Sequence, residues 1–456
     1  MSGNAKPESD RHRFYLPDTC FYLFFPLYLQ KYYKFWLLMI LRIELENFFS
    51  IKDPVVIDFR AANINSAKSR ELGSNVINWK GIKVLKTIGL FGPNASGKSN
   101  IIAAINFCCR LILDSHLNVE GGTFSFEPFR FDGYESRPSH FLINFVCEDI
   151  EYEYSFELNK NEILKESLYS YPQGRRARLF TRDESARKVY IFSEGVFNRP
   201  QDVVESTSKV NLFLSRASSM NREKAVKLYH YFMNTFLLSV IPINNVAIAE
   251  SFYDKYKTLV LKALECCDSD IVGIELKKEK VRLPHPQVIQ PNGQPTFGFI
   301  DTEVGHFLTY HKFDPSKPFE LDKDESTGTR ELFKLLLSLL DVVRNKKALM
   351  ADEFDDRLHT RLAYFAIDLI HASEASQFLF SSHNTNLIDA NHFRRDQIVF
   401  VNKKDDGSTE AYSLYDFKDF RDTMDAEKAY IQGRFDAVPY VDSSVSTLKR
   451  LLEEAL

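Results

Sequence analysis

The strongest chemistry in the chain lies in eight consecutive residues. Gly92, Pro93, Asn94, Ala95, Ser96, Gly97, Lys98 and Ser99 follow the spacing GxxxxGK[ST]. Small residues at these places let backbone N–H groups curl around phosphate oxygens. The lysine adds a charge at the β- and γ-phosphates, the serine hydroxyl suits Mg2+, and a following helix points its positive end at the anion. Residues 86–91 (KTIGLF) read as a short buried strand, and residues 99–113 (SNIIAAINFCCRLIL) carry apolar side chains at helical spacing. Strand, loop and helix therefore stand in the required order. A chance match in a chain of this length has odds on the order of one per cent from average residue usage. The expected ligand is ATP with Mg2+, contacted by residues Gly92 to Asn100, with Ser99 on the metal.

Such a loop needs a carboxylate partner. Residues 348–353 (ALMADE) form an apolar strand ending in two acids. In this reading Asp352 holds Mg2+ through water and Glu353 polarises an attacking water. A strand ending in acids is usually a solvated turn, but opposite Lys98 the catalytic reading outweighs it. His383 follows the next apolar strand, where it could reach the γ-phosphate; standing alone it would read as a histidine capping a loop. Ser326, Thr327, Gly328, Thr329 and Arg330 precede a strongly amphipathic segment, 329–343. Amides at its amino end could bind a second phosphate, or the segment is an ordinary helix cap.

These residues need a scaffold. The chain has 456 residues, 44% of them apolar and 26% charged, with a net charge of -4. That is enough for a sizeable core divided into two or three lobes, and it does not describe a uniformly basic nucleic-acid coat. Residues 40–46 and 55–59 alternate with period two, the pattern of an opening antiparallel pair, and residues 61–80 read as a loop. From about 123 to 193 the pattern is again that of strands. Residues 205–270 read mostly as helix, and residues 271–323 as short strands and turns punctuated by Pro284, Pro286, Pro291 and Pro295. After the helix at 329–343 come a strand (348–351), a helix (357–372) and strands at 377–381 and 397–401. Cys20, Cys108, Cys109, Cys147, Cys266 and Cys267 show no CxxC spacing and read as free thiols in a reducing cytoplasm. Residues 1–38 are rich in aromatics but hold no uninterrupted apolar run of the roughly 20 residues a membrane helix needs. Met39 reads as the natural start, with 1–38 a mis-assigned or poorly ordered extension; a membrane-anchoring segment is the less favoured alternative.

In order, the chain contains GPNASGKS, STGTR, ALMADEFDD and SSH. That order, with the signature helix directly before the DE strand, resembles ABC-type ATPases, and ILRIELENFFSIKDPVVIDF resembles the opening of SMC and RecF heads. GPNASGKSN, EPFRF, SLYSYPQGR, ESTGTR, DEFDDRLH, SSHNTNLID, RRDQIVFVNK, SLYDF and YIQGRFDAVPY together resemble the AbiL/RloA-type prokaryotic ATP-binding proteins, over about residues 39–440. The resemblance implies an α/β fold: an ABC-type ATPase head, with a mixed sheet lobe and a phosphate-loop core, interrupted by a mainly helical insertion. Its expected divisions are 39–200 for the first part of the head, 201–324 for the insertion, 325–440 for the second part and 441–456 for a tail helix. It implies that two heads sandwich ATP in a homodimer or larger oligomer. Lys98 and Ser99 of one copy would then face Ser326, Gly328 and Arg330 of the other, Asp355 and Asp356 would form the loop crossing that interface, and His383 would be the switch histidine. The segment after the loop helix offers Glu127-Pro128-Phe129 but no glutamine to complete the lid.

The resemblance further implies a nucleotide-driven switch in anti-phage defence, acting with a separate TOPRIM-like nuclease or similar effector and with no membrane partner. The alternative is an SMC/RecF-like DNA-maintenance ATPase. Two basic stretches bear on it: Arg175, Arg176 and Arg178 with Arg182, Arg187 and Lys188, and Lys277, Lys278, Lys280 and Arg282. Each could contact DNA phosphates or be a charged hairpin in water. A transporter subunit fits poorly, because STGTR departs from LSGGQ. Glu151, Glu153 and Glu157 read as one solvated strand face, and His306 and His311 have no partner at metal-ligand spacing.

Overall fold

A computed structural model describes residues 39–241, 246–289, 295–421, 423–439 and 442–454. The extension 1–38, with Cys20 and the question of a start at Met39, lies outside the described residues.

Strand β1 (Met39–Glu46) buries alternate side chains as its period-two pattern requires, and pairs antiparallel with β2 (Val55–Asp58). Helix α1 (Ala67–Glu71) and strand β3 (Val76–Trp79) then occupy the stretch expected to be a loop, and β3 pairs with β4 (Ile82–Leu85). They lead to β5 (Thr87–Phe91), buried at every residue, and on to helix α2 (Lys98–Asp114). A meander follows: β6 (Ser139–Cys147), β7 (Ile150–Leu158), β8 (Ile163–Ser170), β9 (Ala177–Asp183) and β10 (Tyr190–Phe192). With β1 and β2 these make a seven-stranded sheet in the order β10-β9-β8-β7-β6-β1-β2. Helices α3 (Pro200–Glu205), α4 (Phe213–Ser219) and α5 (Glu223–Thr235) return against it. Val203, Leu212, Phe213, Leu228 and Phe232 are buried in one core with β1, β6, β7 and α2. Packing therefore does not change at residue 200, where the sequence put the start of an insertion.

The second sheet, β11-β15-β16-β5-β17-β18, is assembled from β11 (Phe236–Leu237), β15 (Ala348–Ala351), β16 (Gln377–Ser382), β17 (Ile398–Lys403) and β18 (Thr409–Ser413) around the early strand β5. All its pairs are parallel except β17 with β18. Strands in such a sheet are covered on both faces, so they read as apolar runs rather than alternations. Helices α7 (Thr327–Asn345), α8 (Thr360–Ala372) and α9 (Ala426–Ile431) belong to its chain segment, and α10 (Val445–Glu454) ends the described residues. Gln377 of β16 ties the two sheets together. Its Nε2 donates to the carbonyls of Ile40 (3.0 Å) and Leu85 (3.2 Å), and its Oε1 accepts from Ile40 N (2.7 Å).

Helix α6 (Val246–Cys266) and the strands β12 (Ile271–Ile289), β13 (Pro295–His311) and β14 (Asp314–Glu320) form a third unit, packed on α7 through Tyr253, Tyr256, Phe307 and Phe333. The short strands expected here are instead one long hairpin arm. Its 19-residue strand spans about 60 Å at the usual rise. Pro284 and Pro286 do not break it, because β12 is an edge strand whose outer N–H positions need no partner.

At the first residue of β5, Thr87 Oγ1 bonds His371 Nε2 (2.8 Å) and accepts from Gln397 Nε2 (2.6 Å), while Lys86 Nζ donates to the carbonyl of His371 (2.8 Å). Burial, with the Lys86 ammonium beside it, lowers His371 to about 3, so the ring is neutral. A histidine depressed on folding binds fewer protons folded than unfolded. Its stabilisation is therefore present above its unfolded value near 6.5 and is lost as pH falls toward 3, by up to about 1.4 kcal/mol per pH unit. Wild type should thus lose about 2 kcal/mol more than His371→Gln between pH 7.5 and 5 in urea unfolding; equal losses would refute it.

Candidate functional site

Three adjacent parallel strands set the site. Ser382 of β16 stands opposite Phe91 of β5, and Phe380 opposite Ala351 of β15. Their carboxyl ends therefore open on one edge of the sheet, delivering residues 92–97, His383 and the Asp352-Glu353 pair to one place. This is where open parallel sheets bind ligands.

The phosphate loop closes on itself before the helix starts. Ser96 N donates to Pro93 O (3.3 Å), and Ala95 has a φ of 63°. Gly97 caps α2 with a φ of 110°, a region where side chains are strained, and Ile101 N makes the first helical bond to its carbonyl (3.0 Å). A Cβ on Gly97 would fall on Thr409 Oγ1, and one on Gly92 would fall on the carbonyl oxygen of Val401. Both motif glycines are thus required by the strands packed behind the loop as well as by a ligand in front of it.

Lys98 is 4% exposed. Its Nζ donates to the carbonyls of Gly92 (2.8 Å) and Pro93 (3.0 Å). Burial lowers its pKa to about 8, against the opposing pull of Asp352 and Glu353. Ser96 Oγ is buried and has no hydrogen-bond partner among the described residues. A buried cation and an unpartnered hydroxyl inside a cradle of backbone N–H groups fit the oxygens of a polyphosphate. Asn94, Ala95 and Ser99 are exposed, and Asn100 is half-buried with its amide on Ser50 Oγ (2.6 Å).

The acids are held from β16. Ser381 Oγ donates to Asp352 Oδ1 and accepts from Glu353 N (2.8 Å). Glu353 has a φ of 47°, a left-handed conformation that costs a non-glycine residue energy and persists because its surroundings fix it. Its carboxylate reaches out to His383 Nε2 (3.4 Å). Ser381 was not identified from the sequence as functional; a hydroxyl near a strand end carries no periodic signal, and its role depends on which strand lies beside it. No group of three or more His, Cys, Asp or Glu among the described residues could hold a metal alone. Ser99 and Asp352, both exposed on this edge, suit a Mg2+ shared with phosphate oxygens.

Ser326 Oγ caps α7 by accepting from Thr329 N (3.1 Å), and Arg330 donates to Asp322 O (2.6 Å) and Thr327 Oγ1 (3.0 Å). A Cβ on Gly328 would lie 3.2 Å from Arg357 O. The signature residues of one copy thus contact each other and the loop after β15. Asp355 and Asp356, expected together at an interface, diverge. Asp355 is buried and accepts from Ser382 Oγ (2.9 Å), and burial raises its pKa against that bond; Asp356 is exposed beside Arg357. Glu127, in the lid region, is engaged by Lys160 Nζ (2.5 Å).

The family model described as "AAA domain, putative AbiEii toxin, Type IV TA system" matches residues 88–389, from the strand before the phosphate loop to just beyond His383. A search of curated proteins gives no match. The SMC head domain from Thermotoga maritima is similar at 14% identity, covering 82% of this chain and 98% of that one, with a TM-score of 0.38. The Smc head of Pyrococcus furiosus, solved with an extended coiled coil and bound to the C-terminal domain of ScpA, gives 14% identity, 87% and 99% coverage and 0.36. The Smc head of Pyrococcus yayanosii, with a coiled coil and joint, gives 13%, 82% and 97%, and 0.36.

Ser381→Ala removes the one hydroxyl shared by Asp352 and Glu353 N. It should lower kcat for ATP hydrolysis about tenfold or more and raise the Mg2+ concentration needed for half-maximal rate. Unchanged rate and Mg2+ dependence would show that the acids do not depend on it.

Proposed function

This chain belongs to that AAA-domain family of ATPases, and we propose that it hydrolyses Mg-ATP as a nucleotide-driven dimerisation switch. The observation that carries the reading is the convergence of Lys98, Asp352, Glu353 and His383 at one edge of three parallel strands. Lys98, the loop amides from Asn94 to Ser99 and the N-terminus of α2 hold the phosphates. Ser99 and Asp352 would hold Mg2+, which when bound would neutralise charge on the phosphates. Glu353 orients and deprotonates the attacking water, and His383, beside it, contacts the terminal phosphate. Ser326, Gly328 and Arg330 present the amino end of α7 to the nucleotide of a second copy, with Asp356 at the same surface.

We further propose that the switch works in anti-phage defence with a separate effector such as a TOPRIM-like nuclease. The ordered motifs from GPNASGKS to YIQGRFDAVPY support this assignment. The DNA-maintenance alternative draws little support from the basic stretches. Arg176 pairs with Glu153 (2.5 Å), buried Arg182 with Glu184 (2.6 Å), Lys277 with Glu279 (3.3 Å) and Lys278 with Glu250 (2.6 Å).

Glu353→Gln should cut kcat by a factor of roughly 100 or more while retaining ATP binding. In light scattering it should double the particle mass on addition of ATP. A variant that hydrolyses like wild type, or stays at one mass with and without ATP, would overturn the mechanism.

A further inference from the structure

We propose that Thr409 and Ser50 are positioning residues that hold the phosphate loop in its ligand-ready shape; this deepens the ATP-site reading and rests on it. Neither residue belongs to the motif. Ser50 lies in the turn after β1, and Thr409 is the first residue of β18, yet backbone and side chain both join them. Thr409 N donates to Ser50 O (2.7 Å), and the two hydroxyl oxygens are 2.7 Å apart. The direction of the chain of bonds follows from its ends. Asn100 Nδ2 can only donate, and it donates to Ser50 Oγ (2.6 Å). At the other end the Ser96 carbonyl can only accept, and Thr409 Oγ1 gives it its proton (2.9 Å). Thr409 therefore accepts from Ser50, and the relay runs Asn100 to Ser50 to Thr409 to Ser96.

The relay begins in the first turn of α2 and ends on the residue before Gly97, so it staples both sides of the loop-to-helix junction. Gly97 is pressed against the same Thr409 side chain, where a Cβ would collide with Oγ1. Thr409 is 2% exposed and Ser96 1%, so water cannot replace the lost bond cheaply. The loop amides that meet the phosphates are thus aimed from behind by hydroxyls in the first sheet's turn and in the β17–β18 hairpin. A loop already in shape loses less conformational freedom when it binds.

The test uses the full chain, a fluorescent ATP analogue and steady-state hydrolysis. Thr409→Val keeps the bulk and removes the hydroxyl. It should weaken nucleotide binding about tenfold, with the loss falling on KM far more than on kcat, while Thr409→Ser restores wild-type affinity. A valine variant that binds like wild type overturns the proposal, as does a serine variant as weak as valine. Should Thr409→Val fail to fold, Ser50→Ala decides: about threefold weaker binding supports the relay, and unchanged binding refutes it. Lys98→Ala separates this question from the site itself. If wild type and Lys98→Ala bind the analogue equally, the ATP-site reading has failed, whatever Thr409 does.

Discussion

The ammonium of Lys98 is withdrawn from water and meets two backbone carbonyls, those of Gly92 and Pro93. Carbonyl dipoles compensate a buried cation less well than a carboxylate does, which is why burial depresses its pKa in spite of Asp352 and Glu353 nearby. A cation kept in this condition gains most from an anion that enters the loop, and the amino end of α2 and the unpartnered Ser96 hydroxyl face the same demand. Much of the surrounding structure serves to hold this electrostatic arrangement open. The loop lies close against β17 and β18, where a Cβ on Gly92 would meet Val401 O and one on Gly97 would meet Thr409 Oγ1.

The parts come from distant stretches of sequence, and small polar side chains make the joins. Gln377 binds β16 to β1 and to the end of β4. Ser50 and Thr409 bind the first turn and the last hairpin to the loop. Ser381 and Ser382 bind the acids after β15 to β16. Hydrophobic cores bring these sheets together but leave freedom at the scale of a side chain. Buried hydrogen bonds remove it, because an unmade bond there costs about 1–3 kcal/mol.

The sequence carried the elements better than their assembly. GPNASGKS between an apolar strand and an apolar helix admitted one reading, and ALMADE became persuasive once Lys98 required a partner. β1 was legible because one of its faces is buried and the other half-exposed, and β5, β15 and β16 because both faces are buried. The arm was not legible: prolines at 284 and 286 signal breaks in a central strand, and no local feature marks β12 as an edge. The helices α3 to α5 read as the start of an insertion because their partners, β1, β6 and β7, lie far back in the sequence. Ser50, Thr409 and Ser381 were invisible as site residues for the same reason: their roles are set by strand order.

The joins also differ from one part of the site to another. After β15 the chain is fastened to β16 three times within four residues. Ser381 holds Asp352 and Glu353 N, Phe354 packs on Phe378 and Phe380 at ring separations of 5.1 and 4.7 Å, and Ser382 holds Asp355. Asp352, Glu353 and His383 are therefore all held at the end of the central sheet. The signature segment is attached differently. Gly328 abuts Arg357, a residue with a φ of 64°, while the root of the arm grips the segment from the other side through Glu325, which accepts from Thr309 Oγ1 (2.5 Å) and bonds His311 Nε2 (2.8 Å). Side-chain bonds therefore join the acids to the central sheet and the segment before α7 to the root of the arm, two attachments that run through different residues.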